Sequence, residues 1–198
     1  MAELTVLESK IGEVMGLAMA AQGATDKIGK LVKEEGDDDL VAVLDRMHKE
    51  AAETEERCTE VAGEYEGKKT AILEKAREVK QEATEMMRTY LGDDADALDG
   101  FEFLTMAEAG EVGHWSIVDV LAQRARDARA STLAAWAKPI QERHFEQAKE
   151  GSLKLAKAGH GQVQSLIEWA LPIQERHFQT ALDGSKKLAA EEDPQGTS

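Results

Sequence analysis

The sequence predicts an all-α protein. Three observations carry this. Ala, Glu, Lys and Leu dominate the composition, while aromatics make up 5% of the chain and there are only three prolines. Apolar residues recur at three- and four-residue steps over long stretches. No segment alternates polar and apolar residues with the period of two that a half-buried strand needs. At 198 residues the chain suits one helical domain with an appended element, and it is long enough to bury a substantial core.

The helices follow in order. Leu4, Leu7, Ile11, Val14, Ala18, Ala21, Ile28 and Val32 form one apolar stripe, with some slack at Gly23. Gly36 ends that helix, and the aspartates after it cap the next. The second helix carries Leu40, Leu44, Met47, Ala51, Cys58, Val61 and Tyr65, and "GEYEG" at 63–67 bends or interrupts it. Helix resumes from Lys68 to Leu91, with Ile72, Ala76, Val79, Ala83 and Met86 on its stripe. "GDDADALDG" is a turn offering several caps. Three more helices run from about Phe101 to Arg126, Arg129 to Ala158 and Gln162 to Ala190, the last two separated by "AGHG". The expected organisation is a helical bundle over 1–158, a further helix over 159–190 and a frayed tail over 191–198.

The last two helices are internal copies. Ala134–Lys157 aligns with Ile167–Ala190 at an offset of 33, with roughly fifteen identities in twenty-four positions. Two copies are too few for a solenoid, so the reading is one bundle helix duplicated. Each copy contains "PIQERHF". Pro139 and Pro172 each remove a backbone hydrogen bond, which predicts a kink or a π-like irregularity. His144 and His177 both fall on the apolar stripe of their helix, so each reads either as a satisfied core imidazole or as a metal ligand aimed into the bundle.

Charge narrows the function classes. The formal net charge is −15 and the pI about 4.8, which excludes a basic nucleic-acid groove as the main surface. The acidic faces also disfavour a membrane-surface role. No run of about 18 apolar residues predicts a membrane-spanning helix. The N-terminus lacks the basic start and apolar run of a signal peptide, so the expected compartment is the cytoplasm. The single cysteine, Cys58, leaves no disulfide framework within the chain and no multi-thiolate zinc site. No phosphate-binding glycine loop and no serine in a nucleophile setting are present.

The most informative stretch for chemistry is "LTMAEAGEVGHWSIVDVLAQRA". Glu108, Glu111 and His114 lie on or beside its stripe, and Glu111 with His114 forms a Glu-x-x-His pair one turn apart. Two carboxylates on the core side of one helix are costly unless paired, protonated or bound to a cation. "DRMH" puts Asp45 three residues before His48 in the same way, and Glu50 and Glu55 flank that helix's stripe while Glu53 turns outward. In the duplicated helices Gln141 and Gln174 stand where an acid would complete the same motif with His144 and His177.

"MHKEAAETEERCTEV" (Met47–Val61) and "MAEAGEVGHWSIVDVLA" (Met106–Ala122) resemble two helices of the ferritin-like superfamily, more narrowly the bacterial stress-associated ferritin-like proteins of the YciE/YciF type. The resemblance covers about the first 160 residues. It implies an antiparallel four-helix bundle, here with an additional C-terminal helix, and a di-metal carboxylate site holding iron or manganese, with zinc as the alternative. It makes Glu53 a ligand, against the outward direction that helical geometry gives it, and it sets Glu50 where that family tends to have His. The metal-ligand candidates are then His48, Glu50, Glu53, Glu108, Glu111, His114, His144 and His177. The chain departs from the family where "PIQERHF" replaces a run of glutamates. Two functions follow as expectations. One is a ferritin-like metal-binding protein with a stress or iron-oxidation role and a dimeric homo-oligomer. The other is a non-enzymatic helical bundle serving as an interaction or assembly module.

Overall fold

The computed structural model describes residues 2–159 and 163–191, with side chains described at 2–158 and 172–191. Six helices account for nearly all of the described residues: α1 (Val6–Glu35), α2 (Asp38–Gly63), α3 (Lys69–Tyr90), α4 (Ala97–Ala125), α5 (Ala128–Gly159) and α6 (Val163–Glu191). The "AGHG" break and the tail fall largely on residues outside those described.

Local chemistry sets the helix ends. Thr5 and Glu8 form a capping box, in which each side chain accepts from the other's backbone N–H, at 3.2 and 2.8 Å. Gly36, at φ 78°, is the left-handed residue whose N–H closes onto Val32 and Lys33. Asp37 then accepts from the Leu40 N–H at 3.1 Å and starts α2. "GEYEG" interrupts the chain rather than bending it, since α2 stops at Gly63 and α3 begins at Lys69. Asp96 and Asp99 make a second capping box. That box starts α4 at Ala97, four residues ahead of the apolar stripe's first aromatic. Both prolines lie within continuous α-helix, with no π-helical turn at either. Pro139 and Pro172 face solvent, where water can satisfy a carbonyl left without its N–H donor.

Two apolar clusters fill the bundle. The first joins Leu7, Ile11 and Met15 of α1 to Cys58 and Ala62 of α2, Ile72 of α3, Trp115 and Leu121 of α4, and Leu133 and Ala137 of α5. The second joins Ile28 and Val32 to Leu44, Met47, Leu91, Phe101, Leu104 and Ala148. Each large side chain buried in this way contributes about 1.5–3 kcal/mol. The order in which each helix visits the clusters fixes its direction. α1, α3 and α5 run from the first cluster to the second, and α2 and α4 run back. α1–α2 and α4–α5 are therefore two antiparallel hairpins, and α3 returns the chain between them along α1. Glycines make that approach close: a Cβ at Gly12 would stand 2.9 Å from the Ile72 carbonyl oxygen, and one at Gly16 would press on Val79.

α6 runs antiparallel to α5 over the α4–α5 groove. Its Phe178 ring meets Phe145 at 5.1 Å, Glu175 pairs with Lys149 at 3.1 Å, and Arg124 donates to the Ala190 carbonyl. Leu182 and Ala189 are buried there. The stripe predicted to face inward does not. His177, Ala181, Gly184 and Leu188 are exposed, because α5 already occupies the position against α2 and α4 and α6 turns a different face to the protein.

Candidate functional site

A polar layer lies between the two apolar clusters. On α4, Glu108 and Glu111 are one turn apart and share a face with Leu104 and Trp115, which belong to the core. That face leaves them 1% and 5% exposed. On α5, Gln141 and His144 are placed the same way between Ala137 and Ala148 and are 4% and 2% exposed. α2 brings Glu50 to the edge of the layer, half-buried, and Thr54 below it returns its hydroxyl to the Glu50 carbonyl at 2.8 Å.

Hydrogen bonds join the three helices. His144 Nε2 meets Glu50 Oε2 at 2.6 Å, and His144 Nδ1 faces Glu108 Oε2 at 3.7 Å. Arg143 Nη2 donates to the other Glu50 oxygen at 2.7 Å. The Gln141 amide donates to Glu111 Oε2 and, more weakly, to Glu108 Oε2 at 3.4 Å. The two buried carboxylates thus have different solutions. Glu108 has an imidazole beside it, whereas Glu111 has only a neutral amide.

Protonation follows from that asymmetry. Burial raises the Glu111 pKa well above the ordinary glutamate value, and the charge on Glu108 raises it further, so Glu111 keeps its proton. Burial pushes His144 the other way, but Glu108 beside it and the hydrogen-bonded Glu50 outweigh that and hold the imidazole above its usual value. Burial would also raise Glu50, but Arg143 and His144 prevail and keep it below the ordinary range. The layer therefore sets an acid that favours its proton, Glu111, beside an imidazole that favours its protonated form, His144, with Glu50 held ionised at its edge.

The other candidate ligands lie elsewhere. His114 turns from Glu111 toward α1, with Nδ1 3.3 Å from Glu13 Oε2. Burial works against ionisation of Glu13, but the neighbouring His114 imidazole and the Lys10 ammonium, which donates to it at 2.5 Å, prevail and bring its pKa down to about 2. His48 Nδ1 lies 3.2 Å from the Gln22 carbonyl oxygen and 3.3 Å from Asp26 at the α1–α2 surface. Glu53 points outward, as the helical wheel requires, and pairs with Arg57 at 2.8 Å. His177 is exposed on α6. Cys58 is fully buried with its thiol pKa pushed far up, first by burial and then by Glu111, so it is inert. The reading of the sequence passed over Gln141 and Arg143 as site residues. Gln141 carried a signal, since it stands four residues after Ala137 and three before His144 on the core face. Arg143 carried none.

An apolar cavity of about 210 Å³ opens between α1, α3 and α4. Leu17, Ala21, Met87 and Phe103 line it, and it reaches Glu108 and Glu111. Among the described residues no group of three or more His, Cys, Asp or Glu side chains converges as around a bound metal ion. The donors nonetheless suit one ion, offering three carboxylates and an imidazole of the hard-to-borderline kind that iron, manganese or zinc accepts. They fall short of the four Glu and two His of a di-metal bundle site, since α1 brings no carboxylate to this layer and α5 offers Gln141 in place of an acid. None of the described helices is long and apolar enough to cross a membrane. Compared with known proteins, the chain matches no family model, no curated protein and no solved structure.

Proposed function

We propose that the chain is a ferritin-like bundle that takes up one divalent cation, iron or manganese with zinc the alternative, on Glu50, Glu108, Glu111 and His144. The helix order supports the fold: two antiparallel hairpins joined by one long crossover, here α3, is the connectivity of ferritin-like bundles. The observation that carries the function is the gathering of Glu50, Glu108, Glu111 and His144 in one buried layer, where burial and neighbouring charge favour two protons, one on Glu111 and one on His144. Their charge equals that of one divalent ion. An M²⁺ ion replacing both leaves the buried charge unchanged, so the core need not pay for a new unbalanced charge in a low-dielectric interior. The ion would supply Lewis acidity, and for iron a redox couple. The chain would supply the carboxylates, the exclusion of water by two apolar clusters, and a cavity through which a small apolar molecule such as dioxygen can reach Glu108 and Glu111.

Uptake should be coupled to proton release. Anaerobic titration with Fe(II) or Mn(II) by calorimetry, in buffers of different ionisation enthalpy, counts the protons directly. Release of about two per ion is expected, with affinity climbing steeply as pH rises from 6 toward 8. Absence of uptake at pH 8, or uptake unaltered in Glu108→Gln, would sink the proposal. Oxidation of Fe(II) by the loaded protein is the activity to assay next.

A further inference from the structure

α5 is held against α2 and α4 by a definable set of contacts. Gln141 bonds Glu108 and Glu111, and Arg143 and His144 bond Glu50. Ser152 meets Thr105 at 2.9 Å, and Lys154 pairs with Asp37 at 2.6 Å. Gly151 lies under Phe101, where a Cβ would overlap the ring. The counterparts in α6, 33 residues on, are Gln174, Arg176, His177, Ser185, Lys187 and Gly184: the same residue every time. The copies differ at four positions where α5 faces solvent, Ala135 and Glu168, Glu146 and Gln179, Glu150 and Asp183, and Lys157 and Ala190. They also differ at five positions that are buried or half-buried in α5: Ala134, Lys138, Gln147, Lys149 and Leu153 stand against Ile167, Leu171, Thr180, Leu182 and Lys186. Ile167 is bulkier than Ala134, and Leu171 lacks the ion pair that Lys138 makes with Asp119 at 2.5 Å.

Where α6 lies now, none of these six residues is buried. Gln174, Arg176 and His177 are exposed. A Cβ added at Gly184 meets nothing within 4 Å, so no packing reason for a glycine exists there. Phe178, Leu182 and Ala189 hold the helix instead, from a different face. A face left largely exposed in place, yet repeating six of the residues through which α5 is held to α2 and α4, points to an occupant of its own.

We propose that this occupant is a second copy of the chain: α6 of each chain takes the α5 position in the other's bundle, giving a reciprocally exchanged dimer. Exchange of an identical element between protomers is a low-cost route to dimers, and α6 repeats six of the residues that hold α5 in place. α5 swings out from the short Arg126–Asp127 turn, and Gln174 and His177 stand where Gln141 and His144 stood. The polar layer is thereby conserved, so the inference does not depend on whether that layer binds a metal.

The test is sedimentation of the full-length chain before and after unfolding and refolding at high protein concentration. The wild type is expected to yield a dimer that, once isolated, survives dilution for hours, because reversal requires a bundle to open. Gly184→Leu fills open space in the monomer and, leucine being a better helix former than glycine, should leave its Tm unchanged or higher. In the α5 position it would drive a side chain into Phe101, so the dimer yield should fall at least tenfold. No dimer from the refolded wild type, an equal yield from Gly184→Leu, or a dimer that dissociates at once on dilution, as a simple surface contact would, each overturns the proposal.

Discussion

The sequence PIQERHF occurs in α5 and in α6, and its two copies have opposite surroundings. In α5 the histidine is 2% exposed and bridges Glu50 toward Glu108; in α6 it faces solvent. Both copies are helical and both are amphipathic. What separates them is occupancy: one helix fits between α2 and α4, and the second must pack on what remains. A sequence motif therefore specifies what a helix can bind, while the competition for positions decides what it does bind.

The contrast is sharpest at the two glycines and at the two histidines. His144→Ala leaves Glu50 and Glu108 facing an empty space, and breaking a buried ion pair from one side costs about 3–5 kcal/mol. His177→Ala removes no contact and should fall within about 0.5 kcal/mol of wild type. Chemical denaturation of the two variants measures the difference. Equal effects would mean that α5 and α6 share the core position equally in solution. Gly151→Ala comes next. Its methyl overlaps Phe101, and overpacking of this kind costs about 1–3 kcal/mol. Gly184→Ala has the opposite sign, a gain of about 0.5–1 kcal/mol, because alanine suits an exposed helix interior better than glycine. Thermal melts of the pair should diverge in direction, not only in size.

Much of this was legible from the residues. Gly36, the aspartates after it and the periodic stripes placed the helices to within about four residues, since those signals are local. The pairing of Glu108 with Glu111 was also legible, because a spacing of three on a helix fixes a common face whatever surrounds it. What could not be read was tertiary. Glu111 and His114 share a spacing suited to one ion, yet His114 turns to Glu13 because α1 passes on that side. Glu53 stays outside although a resemblance made it a ligand, and here the helical wheel was the better guide. The exposure of His177 is the clearest case, since its periodicity is that of His144 and only the prior claim of α5 on the core sets it apart.

The smallest effect at low pH concerns Glu111, and it compares two carboxylates rather than two helices. Glu111 is held protonated by burial and by Glu108, so its pKa is raised in the folded state above the ordinary 4.5. A raised carboxyl contributes stability that is fully present below 4.5 and is lost as pH rises toward the folded value. His144 is raised above the ordinary 6.5, so its contribution is full below that pH and is likewise lost as pH rises through its folded value. Glu13, lowered to about 2, works the other way: its contribution is present above 4.5 and lost as pH falls through about 2. Glu111→Gln copies the protonated acid. At pH 5 it should lie within about 0.5 kcal/mol of wild type. Above that the wild type should lose stability by up to about 1.4 kcal/mol per pH unit for each proton the core retains, and the Gln variant should lose less by one proton's share. Denaturation midpoints of both proteins from pH 5 to 9 give the comparison. Parallel curves would show that Glu111 ionises like an exposed acid, which would require Gln141 or a cation to be stabilising the carboxylate rather than burial suppressing it.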